Sequence, residues 1–144
     1  MPHGQPRIHR HQCRHDRRHR YLHTTGTITT NQQFAAGIAS FVKDNSTDVT
    51  IRNCWASVEI KTDVIGDGTH GGLIAIIGEN TTVTITDCLF DGSFTGNNST
   101  INCGGIVGWR SNTGLVNMTR VVFHPAKISI SDIFSSTFIR NTGE

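Results

Sequence analysis

Apolar and polar residues alternate along most of the chain after residue 24, in short segments that turn residues separate. One segment reads Val49-Thr50-Ile51, and a later one reads Val83-Thr84-Ile85. Alternation with a period of two residues predicts β-strands with one buried face. The sustained 3.6-residue period of an amphipathic helix is missing from the sequence, so the pattern predicts an all-β fold.

The same pattern returns at a nearly fixed distance along the chain. Gly37, Gly72 and Gly105 each open an apolar segment, and these glycines are 35 and 33 residues apart. Self-similarity at a period of 20–50 residues is typical of arrays whose repeats stack on one another. We therefore predict a parallel β-helix, or β-solenoid, of about three coils. The predicted repeats are residues 34–69, 70–102 and 103–136, with a partial fourth repeat at 137–144.

Stacking of the coils predicts four interior ladders of side chains, one residue from each coil. The ladders are Ile38/Leu73/Ile106, Val49/Val83/Val116, Ile51/Ile85/Met118 and Cys54/Cys88/Val121. Cys54 and Cys88 would lie one strand spacing apart, about 4.8 Å. We favour a ladder of buried thiols; a disulfide is the alternative that this spacing allows. A catalytic cysteine is least favoured, because no histidine or asparagine recurs with it.

Charge divides the chain into two parts. Residues 1–23 contain six arginines, six histidines and a single acidic residue, and they show no apolar period. Such a segment cannot bury enough apolar surface to offset its ordering entropy, so we predict a disordered tail followed by a solenoid domain at 24–144. The tail is either passive or the product of a reading-frame error, with metal binding or attraction to anionic surfaces as alternatives. The histidines available to a metal are His9, His11, His15, His19 and His23.

The solenoid part carries seven basic and ten acidic residues, a net charge of −3. This balance does not favour nucleic acid as a partner. A run of 18 apolar residues, which a membrane span would need, does not occur in the sequence.

Two segments carry a resemblance to a known family. The first is Gly104-Gly105-Ile106-Val107-Gly108-Trp109. The second is Gly71-Gly72-Leu73-Ile74 with the segment from Val83 to Gly96. Both resemble the GLUG repeat. Proteins with this repeat are large bacterial surface or secreted proteins that look like right-handed β-helices. The resemblance implies that the predicted fold is a right-handed parallel β-helix and that the protein has an extracellular or cell-surface location. It brings no catalytic residues with it.

The acidic residues are the main candidates for chemistry. Asp87 and Asp91 are four residues apart, and paired carboxylates about 5–9.5 Å apart can hydrolyse glycosidic bonds. Asn53 and Arg120 replace Asp87 in the other repeats, which favours a solvated turn over catalysis. A Ca²⁺ loop at 63–68, with Asp63 and Asp67, is a further alternative, although the EF-hand spacing is incomplete.

Other polar and aromatic residues add little to this picture. His70 and His124 lack an evident partner and are expected at the surface or at corners. We expect Trp55 and Trp109 to pack against other residues of the chain rather than to stack on sugar rings. The cysteine spacing lacks the C-x-x-C pairs of zinc sites. We therefore predict no catalytic residue, no resident metal and no cofactor.

The sequence thus favours a structural or adhesive module that displays a repetitive β-face to a glycan or an extracellular protein. The alternative is a fragment or accessory module of a carbohydrate-active β-helix enzyme, a polysaccharide lyase or glycosidase. Open strand edges at the ends of a short solenoid also predict end-to-end self-association.

Overall fold

The computed structural model describes residues 21–131 and 138–141, which form strands and turns but no helix. The strands are β1 (Leu22–Thr30), β2 (Ala39–Val42), β3 (Val49–Arg52), β4 (Cys54–Thr62), β5 (Gly66–Asp67), β6 (Ile74–Ile77), β7 (Thr82–Phe90), β8 (Ser93–Gly96), β9 (Thr100–Ile101), β10 (Val107–Arg110), β11 (Leu115–Phe123), β12 (Lys127–Ile128) and β13 (Ile139–Asn141). None of these residues belongs to a helix that is long and apolar enough to cross a membrane.

All strand pairs are parallel, and the partners come from successive repeats. The long sheet has the order β11-β7-β4-β8-β12, with β1 beside β4 and β3 beside β7. A second sheet has the order β13-β10-β6-β2, and β5 and β9 form a short third one. The chain is therefore a parallel β-solenoid of about three turns, which confirms the predicted architecture.

The predicted ladders are present in the register of the strands. Val83 lies between Val49 and Val116, and Ile85 lies between Ile51 and Met118. On the second sheet, the backbone N–H of Ile38 donates to Leu73 O at 3.1 Å, and the N–H of Leu73 donates to Ile106 O at 2.9 Å. Residues one period apart thus lie directly above one another.

A left-handed residue bends the long strands at the same point in each coil. Asn53, Asp87 and Arg120 have φ angles of 55°, 54° and 50°. In β7 the buried side chains are Val83 and Ile85 before this point and Cys88 and Phe90 after it, so the alternation shifts by one residue. The left-handed residue keeps the apolar side chains inside on both sides of the bend.

Aromatic rings pack against one another in the interior of the solenoid. Phe90 and Phe94 are fully buried, with ring centroids 5.3 Å apart. Phe123 in the next coil stacks on Phe90 at 5.8 Å. Gly72 passes so close to Phe90 that an added Cβ would lie 2.7 Å from its ring. Close backbone approach therefore requires glycine at this position.

The start of the solenoid differs from the predicted boundary. The expected tail ends at residue 23, but Leu22 and His23 already belong to β1, which pairs with β4 along its full length. These two residues pair with the start of β4. A boundary drawn from composition alone cannot take this pairing into account. The rest of the predicted tail, residues 1–20, lies outside the described residues. At the other end Ile139 pairs with Val107, in the segment predicted to open a fourth repeat.

Candidate functional site

The outer face of the long sheet carries a stacked pair of aromatic rings. His23 in β1 lies above Trp55 in β4, with ring centroids 4.1 Å apart and an interplanar angle of 13°. Trp55 is 44% exposed, and its indole Nε1–H donates to Asp91 Oδ1 at 2.8 Å. One face of the indole is therefore covered, and its polar edge is fixed by a carboxylate from the next coil.

Asp91 is the centre of a small polar network that crosses three coils. Ser57 Oγ donates to Asp91 Oδ1 at 2.5 Å, and His23 Nε2 lies 3.3 Å from Ser57 Oγ. Burial raises the pKa of Asp91, but the hydrogen bonds from Ser57 and Trp55 outweigh it and hold the pKa below its usual value. Asp91 is therefore an ionised acceptor at neutral pH.

Glu59 forms a second link across three coils on the same face. Thr95 Oγ1 donates to Glu59 Oε1 at 2.7 Å, and Thr27 Oγ1 donates to Glu59 Oε2 at 3.2 Å. These two hydrogen bonds lower the pKa of Glu59. Its two oxygens are thus held in place by hydroxyl groups from the two neighbouring coils.

The two candidate carboxylates, Asp87 and Asp91, are hydrogen-bonded to separate partners. Asp87 is held by the guanidinium group of Arg120, which donates from Nη2 to Oδ2 at 2.8 Å and from Nε to Oδ1. Hydrogen bonding to Arg120 holds the pKa of Asp87 below its usual value. The hydrogen bonds from Arg120, Ser57 and Trp55 therefore favour the ionised form of both carboxylates.

His70 lies in the corner between β5 and β6 but is a buried structural residue, so its prediction as a surface residue is wrong. Its side chain is fully buried. The backbone N–H of Ala35 donates to Nδ1 at 3.1 Å, so Nε2 carries the proton and donates to Thr62 Oγ1 at 2.9 Å. Desolvation lowers the pKa of His70 to about 4, although the charge of Asp67 acts in the opposite direction. His124 is exposed.

The remaining candidates are scattered. Asp67 Oδ1 accepts a hydrogen bond from Thr69 Oγ1 at 2.6 Å. In the part of the chain that the structure describes, no group of three or more His, Cys, Asp and Glu side chains is placed to hold a metal ion. Trp109 is half-buried beside Ile76 on the second sheet. The histidines at 9, 11, 15 and 19 lie outside the described residues.

Sequence reasoning missed Ser57, Glu59 and Thr95 as members of the outer face. Each of these residues lies in a strand, and its hydrogen-bond partner is about one period away along the chain. Glu59 and Thr95, for example, are 36 residues apart. A search for acidic residues one period from a hydroxyl residue would have found them. Comparison of the chain with models of known protein families, with curated proteins and with solved structures gives no match.

Proposed function

We propose that this chain is a structural or adhesive repeat module of a bacterial cell-surface or secreted protein. The outer face is formed by the outward side chains of β1, β4 and β8 together with Asp91. It offers a regular array of hydrogen-bonding groups to which a glycan or an extracellular protein binds. The observation that carries the proposal is the pair of ionised carboxylates, Asp91 and Glu59, each fixed by side chains from neighbouring coils.

The chemistry of these groups supports binding over turnover. A fixed carboxylate accepts hydrogen bonds from sugar hydroxyls or backbone N–H groups without further ordering cost. The lowered pKa values of Asp87, Asp91 and Glu59 make them poor proton donors at neutral pH. The location rests on the resemblance to GLUG-repeat proteins and stays part of the proposal.

The experiment measures binding of the full chain to immobilised polysaccharides and to extracellular matrix proteins by biolayer interferometry. Glu59→Gln removes one of the two carboxylate charges from the outer face, and Glu79→Gln is the matched control at an exposed turn. A hydrogen bond to a charged group contributes about 1.5–3 kcal/mol, so Glu59→Gln should weaken binding by ~10-fold or more. The Glu79→Gln variant should bind as the parent chain does.

Two results would refute the proposal. One is the absence of binding to every glycan and protein in the panel, and the other is equal binding by both variants. Release of oligosaccharides from a bound polysaccharide would instead support the alternative, a module of a carbohydrate-active enzyme.

A further inference from the structure

A pocket lies at the corner of the coils just beyond the ends of β1 and β4, and it is called the corner pocket below. One wall is residues 31–34, which follow β1, and the other is formed by Val64, Ile65 and Asp67, which follow β4. The corner pocket has a volume of about 400 Å³, and Ile65 at its rim is 81% exposed. None of the lining residues belongs to β1, β4 or β8, so the corner pocket is separate from the outer face.

Hydrogen bonds between neighbouring coils hold the two walls of the corner pocket together. The side chain of Gln33 donates from Nε2 to the backbone O of Asp67 at 2.9 Å. The backbone N–H of Phe34 donates to Gly68 O at 3.0 Å. Both bonds join the segment after β1 to the segment after β4. The walls are therefore positioned by the fold, which reduces the ordering cost of binding a ligand between them.

Phe34 is an unusual residue for its place in the backbone. Its φ angle is 72°, and the corner residues Thr69 and Asn102 of the next two coils also have positive φ angles, 45° and 63°. Each of the three lies two residues before the β-bridges that join the coils. Asparagine adopts this left-handed conformation at a lower cost than phenylalanine does. Since Phe34 is also 39% exposed, its burial does not account for an aromatic residue here, and an outlier of this kind points to a role for the ring.

The chemistry of the lining combines an aromatic ring with polar groups of both kinds. The amides of Asn31, Gln32 and Gln33 offer hydrogen-bond donors and acceptors, and the carboxylate of Asp67 offers acceptors. A sugar ring matches this combination, because it has an apolar C–H face for an aromatic ring and hydroxyl groups at its edge. Among the described residues that line the corner pocket, one is acidic and none is basic, which favours a neutral sugar over an anionic one.

We propose that the corner pocket binds one neutral pyranose unit of a glycan. The ring of Phe34 packs against the C–H face of the sugar, and the amides and Asp67 form hydrogen bonds with its hydroxyl groups. The volume of the corner pocket lies within the range of small-molecule sites, about 300–1,000 Å³. This site is additional to the outer face and does not depend on Asp91 or Glu59.

Saturation-transfer difference NMR of the full chain measures binding of methyl glucoside, methyl galactoside and methyl mannoside, with glucuronate as an anionic probe. Phe34→Leu keeps an apolar side chain but removes the ring, so it should weaken binding of a neutral glycoside ~10-fold. Phe34→Tyr keeps the ring and should bind as the parent chain does. Phe41→Leu is the matched control, because Phe41 is an exposed phenylalanine of β2 outside the corner pocket. Glu59→Gln changes only the outer face and should also retain binding.

Phe34→Asn separates a binding role from a packing role. It should bind as weakly as Phe34→Leu, while its midpoint of urea unfolding should not fall, because asparagine tolerates the left-handed conformation. A lower midpoint would show that Phe34 is there for packing and would overturn the proposal. So would a parent chain that binds none of the neutral glycosides, undiminished binding by Phe34→Leu, or glucuronate binding as tight as that of the neutral probes. The outer face is tested separately through Glu59→Gln on polysaccharides and proteins.

Discussion

Burial of His70 makes the stability of the solenoid depend on pH in a defined window. The folded chain keeps this imidazole neutral, because its pKa falls from 6.5 to about 4 on burial. Between these two values the unfolded chain binds a proton that the folded chain does not bind. The free energy of unfolding therefore decreases as the pH falls from 6.5 towards 4.

The size of the effect follows from the two pKa values. One pKa unit corresponds to about 1.4 kcal/mol, so the full contribution of His70 is about 3 kcal/mol. Most of it is lost between pH 7 and pH 4.5, where linkage gives a decrease of about 2.5 kcal/mol. Glu59, Asp87 and Asp91 have lowered pKa values, so their contribution is lost mainly at still lower pH.

Urea unfolding at a series of pH values from 7 to 4.5 measures this dependence. His70→Gln removes the titrating ring, and we expect it to lower stability at pH 7 and to flatten the pH dependence. His124→Gln is the matched control, since it removes an exposed histidine and should retain the parent slope. An unchanged slope in the His70→Gln variant would show that the ring is not held neutral in the folded chain.

Four further predictions test the packing. Phe90→Ala should cost about 3–5 kcal/mol of unfolding free energy in urea denaturation, because Phe90 is fully buried. Gly72→Ala should cost about 1–3 kcal/mol in the same assay, because its Cβ would collide with the carbonyl oxygen of Gly105 and with the Phe90 ring; equal stability would refute the close approach. Asn53→Ala should lower stability by about 1 kcal/mol and Asn53→Gly should not, because φ is 55° there. The outer edge of β11 has no partner strand within residues 21–131 and 138–141, so the chain should self-associate with rising concentration; Val122→Lys should reduce this in sedimentation velocity, and a monomer at all concentrations would refute it.

The fold was accessible from the sequence because the period of 33–35 residues fixes which residues lie above one another. Val49 and Val83, for example, are placed correctly by counting alone, and their register confirms it. The same counting relates His70 to Ala35, but it does not say that a ring nitrogen accepts a backbone hydrogen bond there. Ladder membership follows from the period, whereas hydrogen-bond partners depend on side-chain direction.

The backbone conformation at the corners of the coils could be predicted from the sequence only in part. Asn53 and Asp87 are residue types that tolerate the left-handed region, so their bend is consistent with the sequence. Thr69 and Phe34 adopt φ angles of 45° and 72°, which their residue types disfavour. Local propensity therefore does not reveal these two conformations.

Nuclear Overhauser effects between labelled methyl groups of Ile51, Ile85 and Met118 test the stacking of the coils most directly. Cross-peaks should join Ile51 to Ile85 and Ile85 to Met118, because these pairs are in register on adjacent strands. Ile51 and Met118 are two strand spacings apart, about 9.6 Å, so no direct cross-peak should join them. A strong Ile51–Met118 cross-peak, or none between Ile51 and Ile85, would contradict the solenoid.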